Sequence, residues 1–149
     1  MRYEALNDVI MAWRQNEEIV LSDLTIVEWF AGRYQIEEHI GSGSTSLVFK
    51  ATDTRLGRNV AIKVFYTNDQ TYSNNLIINE ARTLASVNHP LINKVYDIGF
   101  DESNGCMWIA LELLIGPTLR EYANLSSKRG FDFDKFIQTG LSICDVIEY

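Results

Sequence analysis

The sequence predicts an α+β chain in which a five-stranded antiparallel sheet is flanked by helices, and three observations carry that reading. Apolar and polar residues alternate over short segments between Tyr34 and Leu113, which is the period of a half-buried strand. Turn-forming stretches, Leu56-Gly57-Arg58-Asn59 and Asp101-Glu102-Ser103-Asn104-Gly105, join these segments, and Asn104-Gly105 is a strong hairpin signal. Helical spacing appears before, between and after them.

The chain has 149 residues, 46% hydrophobic and 22% charged, enough to bury one ordinary core but too few for two independent catalytic domains. Thirteen Lys plus Arg against twenty Asp plus Glu give a net charge of −7, the wrong sign for a surface that gathers energy along a nucleic-acid backbone. Cys106 and Cys144 lack CxxC spacing, and His39 and His89 form no metal-ligand pattern, so neither a disulfide framework nor a zinc site is expected. The N-terminus reaches Asn7 and Asp8 before any apolar run develops, unlike a signal peptide, and no apolar run approaches the length of a membrane span. A cytoplasmic chain, with no nucleic-acid or membrane partner, is the expectation.

Residues 1–31 carry six acids against two bases up to Phe30 and no glycine before Gly32, and read as an N-terminal helical extension. Tyr3, Leu6, Val9, Ile10 and Trp13 recur at helical spacing; Leu24, Val27 and Ala31 repeat the pattern more weakly after Ser22-Asp23, a possible cap. The apolar stripes of two such helices either pack on the domain behind them or dock another protein.

From Tyr34 the period becomes two. Strands are expected over Tyr34–Ile40, Leu47–Thr52 and Val60–Phe65, joined as an antiparallel meander. Leu76, Ile77, Ala81, Leu84 and Val87 return to helical spacing, in a helix that must stop near His89 because Pro90 disfavours helical geometry in its predecessor. Lys94–Phe100 and Cys106–Leu113 complete the five strands, and a stretch with Gly116-Pro117 leads to a last helix with Phe133, Phe136, Ile137, Leu141 and Ile147 on one stripe, capped by Asp132 or Asp134.

The chemistry lies in a linked set of residues. Gly41-Ser42-Gly43 alone marks many turns. Here the glycines lead from one strand into another, which excludes a dinucleotide-binding loop, and the absence of Gly-Lys-Ser or Gly-Lys-Thr excludes a Walker loop. What remains is a glycine-rich hairpin whose backbone N–H groups can approach phosphate oxygens. On the third strand Ala61 and Lys63 share a face, opposite Val60 and Ile62, so that a methyl and an ammonium line one surface beneath the hairpin. A lone strand lysine is ordinarily solvent-exposed. Glu80, three residues after Ile77 and four before Leu84, is expected on the buried stripe of its helix, where a carboxylate needs a cation; Lys63 is the candidate.

These residues resemble the N-terminal lobe of the eukaryotic-type Ser/Thr protein kinases, in their bacterial-like form, from about Gly32 to Tyr149. Ile40-Gly41-Ser42-Gly43-Ser44-Thr45-Ser46-Leu47-Val48 resembles the glycine-rich loop, Val60-Ala61-Ile62-Lys63 the third-strand signature, and Asn79-Glu80-Ala81 the αC glutamate region. His89-Pro90 resembles the αC–β4 junction, Leu111 the gatekeeper, Glu112-Leu113-Leu114-Ile115-Gly116 the hinge, and Ile143 to Tyr149 the end of αE. The resemblance implies a kinase-like N-lobe with αC, plus the hinge and the first helices of the C-lobe: residues 1–31 as extension, 32–114 as N-lobe and hinge, and 115–149 as the start of a truncated C-lobe, αD to αE.

By the same resemblance, Lys63 holds the α- and β-phosphates of ATP and Glu80 orients it. Ile40, Val48, Ala61 and Leu111 enclose the adenine, the backbone of Glu112 and Leu114 bonds it, and Thr118 falls where the family often contacts the ribose. Two departures stand out in the loop: Ser46 replaces the third glycine and Thr45 the usual aromatic tip. The catalytic loop His-Arg-Asp and the metal-binding Asp-Phe-Gly do not occur in these residues, so Mg2+ is expected only with ligands that lie outside them, and no transfer by this chain alone. The resemblance implies a protein substrate; an apolar stripe on the last helix suggests self-association. The alternative is an interaction module that docks a partner protein through its acidic N-terminal helices.

Overall fold

A computed structural model describes residues 6–14, 28–65, 70–102, 105–129 and 132–148. The elements are α1 (Leu6–Arg14), β1 (Glu28–Phe30), β2 (Tyr34–Ser42), β3 (Ser46–Asp53), β4 (Arg58–Phe65), α2 (Gln70–Ser86), β5 (Val95–Asp101), β6 (Cys106–Glu112), α3 (Leu119–Arg129) and α4 (Phe133–Glu148). The chain divides into two compact units, residues 1–86 with 94–113 and residues 87–93 with 114–149.

The first unit is built on one sheet of order β1-β2-β3-β4-β6-β5, antiparallel throughout. All five expected strands are present within a residue or two, and a sixth is added at the edge. That strand, β1, pairs Glu28–Phe30 with Ile36–Tyr34. Helical spacing anticipates the end of a second helix there; residues 15–27 lie outside the described ones, but Glu28 to Phe30 are extended, and Ala31 and Gly32 turn the chain at φ of 50° and 62°. A short hairpin is satisfied by ladder bonds to β2, which a three-residue helical remnant would lack.

Alternation gives the sheet two apolar faces. Val60, Ile62 and Val64 of β4 join Tyr34, Phe49 and Trp108 on one face, where Leu6, Val9 and Ile10 of α1 complete the cluster. The stripe of the first helix therefore packs on the lobe behind it rather than standing free. Phe65, Met107 and Ile109 lie on the other face with Ile77 and Ala81 of α2, and Leu111 packs against them. Gly99 of β5 is paired with Trp108 of β6, and a Cβ there would overlap the indole, so the residue opposite this ring has to be glycine.

At the end of the sheet remote from the glycine-rich hairpin, the β1–β2 turn, the β3–β4 turn and β5 are tied by charge. Arg33 donates through Nε and Nη2 to the two carboxylate oxygens of Asp53 at 2.8 and 2.7 Å, and through Nη1 to Asp97 at 2.7 Å. Asp53, whose side chain is 1% exposed, also accepts from the Arg55 and Leu56 amides at 3.2 and 3.4 Å. The Arg33 guanidinium holds the Asp53 carboxyl below its usual range, and Asp53 in turn raises Arg33. Tyr34 donates to Asp97 at 3.2 Å, and burial pushes its hydroxyl pKa upward, with the Asp97 charge adding to the rise.

In the second unit, α3 begins with a reciprocal cap. The Thr118 amide donates to Glu121 Oε2 at 2.7 Å and the Glu121 amide to Thr118 Oγ1 at 3.2 Å. Asp132, not Asp134, caps α4: its Oδ1 accepts from the Lys135 amide at 3.0 Å. His89 is fixed in the same unit by the Leu91 amide, which donates to Nδ1 at 3.2 Å, and its Nε2 lies 3.8 Å from Asp145 of α4. Phe133, Phe136, Ile137, Leu141 and Ile147 are exposed.

Candidate functional site

The hairpin between β2 and β3 is closed by its backbone. The Gly43 amide donates to the Ser46 carbonyl at 2.7 Å, which leaves Ser44 and Thr45 as an exposed tip, and Ser42 pairs with Leu47 below it. A Cβ on Gly43 would fall 3.0 Å from Ser46 Oγ, so the serine that stands for a third glycine fills the space that the second glycine leaves. Ser42 Oγ lies 3.2 Å from His39 Nε2, and burial against Phe49 pushes the His39 pKa down.

Strand register then sorts the expected residues by face. Val48 is paired with Lys63, and Lys50 with Ala61, across β3 and β4; Lys63 is paired with Ile109, and Ala61 with Leu111, across β4 and β6. Val48, Ala61, Lys63 and Leu111 thus share the face that carries α2. Gly41 is the partner of Val48, and Ile40 sits at the bulge between His39 and Gly41, half-exposed. Leu47 is a correction: its side chain is fully buried in the opposite core with α1, so it offers the loop only its backbone.

Lys63 Nζ donates to Glu80 Oε1 at 3.1 Å. The pair forms as expected, but not where expected. The Glu80 side chain is 49% exposed and that of Lys63 27%, so the carboxylate is not on the buried stripe. The helix explains the shift: at about 100° per residue, the stripe made by Ile77, Ile78 and Ala81 leaves Glu80 on its flank. A flank is what the pair needs, since a carboxylate pointing straight into the sheet would meet Met107 and Ile109 instead of the ammonium.

Phe65, which sequence reading leaves as an ordinary strand residue, lies beneath the ammonium, its ring centroid 4.7 Å from Lys63 Nζ. Two positions along a strand from Lys63 is the signal that finds it. Glu112 closes the site's last strand, and its amide donates to the Lys94 carbonyl at 2.9 Å. Leu114 and Thr118 belong to the second unit, where the Thr118 hydroxyl is engaged in the cap of α3, donating to Glu121 Oε2 at 2.9 Å. Among the described residues no group of three or more His, Cys, Asp or Glu is placed to hold a metal ion.

A family model described as the protein kinase domain matches residues 34–149. The chain belongs to the protein kinase family. Among its curated relatives, a probable serine/threonine-protein kinase of Clostridium acetobutylicum is 33% identical over 122 residues, which cover 80% of this chain and 18% of the relative. The serine/threonine-protein kinase PrkC of Bacillus subtilis is 39% identical over 95 residues, 62% of this chain and 14% of PrkC. PknA of Mycobacterium tuberculosis is 33% identical over 123 residues, 76% of this chain and 28% of PknA. The solved structure of PpkA-294 in its apo form matches with a TM-score of 0.56 and 26% identity, over 70% of this chain and 42% of that one. The chain thus spans less than a third of the length of these curated kinases, and its relatives make it a bacterial-type Ser/Thr kinase fragment with an α+β kinase fold. No helix among the described residues is long and apolar enough to cross a membrane.

Proposed function

We propose that this chain is the ATP-binding portion of a Ser/Thr protein kinase which, as part of a complete kinase domain, transfers the γ-phosphate of ATP to protein hydroxyls. The observation that carries the proposal is the Lys63–Glu80 contact of 3.1 Å on the sheet face that also bears Ala61 and Val48, below a hairpin with backbone amides at its tip. Lys63 is the group for the α- and β-phosphates, Glu80 orients it, and the backbone of Gly41 to Ser46 cradles the phosphates. Ala61, Val48, Leu111 and Ile40 supply an apolar wall for the base, with the Glu112 backbone at its edge. Leu114 and Thr118 are assigned by resemblance alone, and the proposal stands on the first unit without them.

The domain division follows the same reading: residues 1–31 as an extension whose first helix completes the lobe, 32–114 as lobe and hinge, 115–149 as the first helices of the second lobe. Magnesium joins ATP through ligands these residues do not include. Two cysteines 38 residues apart without CxxC spacing support a cytoplasmic setting. The test is a titration of the chain with ATP followed through the Lys63 side-chain resonance. Saturable shifts are expected, together with shifts of the Gly41 to Ser46 amides that are lost in Lys63→Ala; wild-type resonances indifferent to millimolar ATP overturn the assignment.

A further inference from the structure

We infer that Phe65 is a positioning residue, whose ring holds the Lys63 ammonium in register with Glu80 and with the base of the glycine-rich hairpin. The inference deepens the proposed nucleotide site and rests on that reading for its use, though not for its geometry. Lys63 and Phe65 are two apart on β4 and share a face. The ammonium lies 4.7 Å from the ring centroid, within the range at which a ring's negative face attracts a cation.

The two neighbours of the ammonium differ in what they can fix. Glu80 is half-exposed and reaches Lys63 on a flexible stem, so by itself it leaves a four-carbon lysine chain free to leave and return. Phe65 is 5% exposed and locked among Ile77, Ala81, Met107 and Ile109. It is the stationary member. Phe65 shares its apolar cluster with Ala81, the residue next to Glu80 on α2, and is the cross-strand partner of Ser46, whose carbonyl closes the hairpin. Ammonium, helix and loop are therefore all tied to this one residue: the ammonium through the ring, the helix through the shared cluster, and the loop through the strand ladder. A leucine would fill most of the same space and keep the apolar packing, but it has no ring face to offer a cation.

The test compares the wild-type chain with Phe65→Leu and with a chain carrying pentafluorophenylalanine at 65, which keeps the ring's shape while draining its negative face. Lysine side-chain resonances are recorded in the apo chain, and ATP affinity is then measured on each. The Lys63 signals are expected to be displaced upfield by the ring in the wild type and to move toward free-lysine values in both variants, with melting temperature retained in the fluorinated one. ATP binding is expected to weaken about two- to five-fold in both. Lys63 signals without ring displacement, or signals and ATP affinity unchanged in the fluorinated chain, overturn the inference. A wild type whose Lys63 signals are ring-displaced but indifferent to ATP upholds the placement of Lys63 by Phe65 and overturns the nucleotide site instead.

Discussion

The Lys63–Glu80 pair separates two quantities that are easily confused: its worth to the fold and its worth to the site. At 3.1 Å the bare Coulomb attraction, with an effective dielectric constant near 20, is about 5 kcal/mol. Solvent competes for both groups, because the side chains are 27% and 49% exposed, and ordering two long chains opposes the gain. Pairs of this exposure contribute about 0.2–1 kcal/mol, well below the 3–5 kcal/mol lost when a buried pair is broken. A double-mutant cycle with Lys63→Ala and Glu80→Gln, read by urea midpoint, should therefore give a coupling below about 1 kcal/mol. Read by ATP affinity, the same cycle should be far from additive. Removing Lys63 deletes a charge-assisted contact to phosphate worth about 1.5–3 kcal/mol, a tenfold loss or more, whereas Glu80→Gln only loosens the lysine. Once Lys63 is gone, Glu80→Gln should add nothing. A stability coupling near 3 kcal/mol would show the pair to be desolvated and refute the exposure argument; additive effects on ATP, or unaltered binding in Lys63→Ala, would leave Lys63 an ordinary surface lysine.

Asp53→Asn removes a carboxylate that Arg33 holds in its ionised form, and should cost on the order of 3 kcal/mol by denaturant melting at neutral pH. Because the folded-state pKa of Asp53 lies below its unfolded value, the wild-type contribution is present above about pH 4 and is lost as pH falls through the folded value. Asp53→Asn should flatten that acid limb; an equally steep loss of stability in the variant would place the effect elsewhere. Ile10→Ala truncates a fully buried side chain of α1 and should cost about 2–5 kcal/mol, a result near zero showing that α1 is not part of the lobe's core. The exposed stripe of α4 should make the chain self-associate, and Phe136→Lys with Leu141→Lys should return it to a monomer by sedimentation; a wild type already monomeric at high concentration would contradict this. The chain by itself should transfer no phosphate to a protein substrate, checked with radiolabelled ATP; transfer that survives purification and disappears in Lys63→Ala would refute it.

The strands were legible because period-two alternation and turn chemistry are local properties. So was the pairing of Lys63 with Glu80, from two unusual residues that account for each other. What sequence could not supply is whatever depends on a partner distant in the chain. Strand β1 is three residues long and exists through its ladder with β2, so no window of its own length announces it. The bonds of Arg33 reach 20 and 64 residues away, to Asp53 and Asp97, and nothing adjacent to Arg33 marks them. Thr118 shows the opposite difficulty: its spacing to Glu121 is a local capping signal, and the cap claims the hydroxyl that the family resemblance gives to ribose.

The glycine-rich loop and β4 show how much further alternation reaches than motif matching. A motif names a contiguous block, Ile40 to Val48, as though all its side chains faced one ligand. Strand geometry divides the block: Leu47 is drawn into the core behind the sheet, while Ser46 and Val48 keep the face of Lys63. The same count, continued from Ala61 through Lys63, arrives at Phe65, which no kinase motif singles out here and which lies under the ammonium. Parity thus removes one side chain from the site that the motif includes and adds one that it omits. A lysine signature should accordingly be read with the residues two positions to either side, because on a strand those, and not its immediate neighbours, decide where the ammonium can rest.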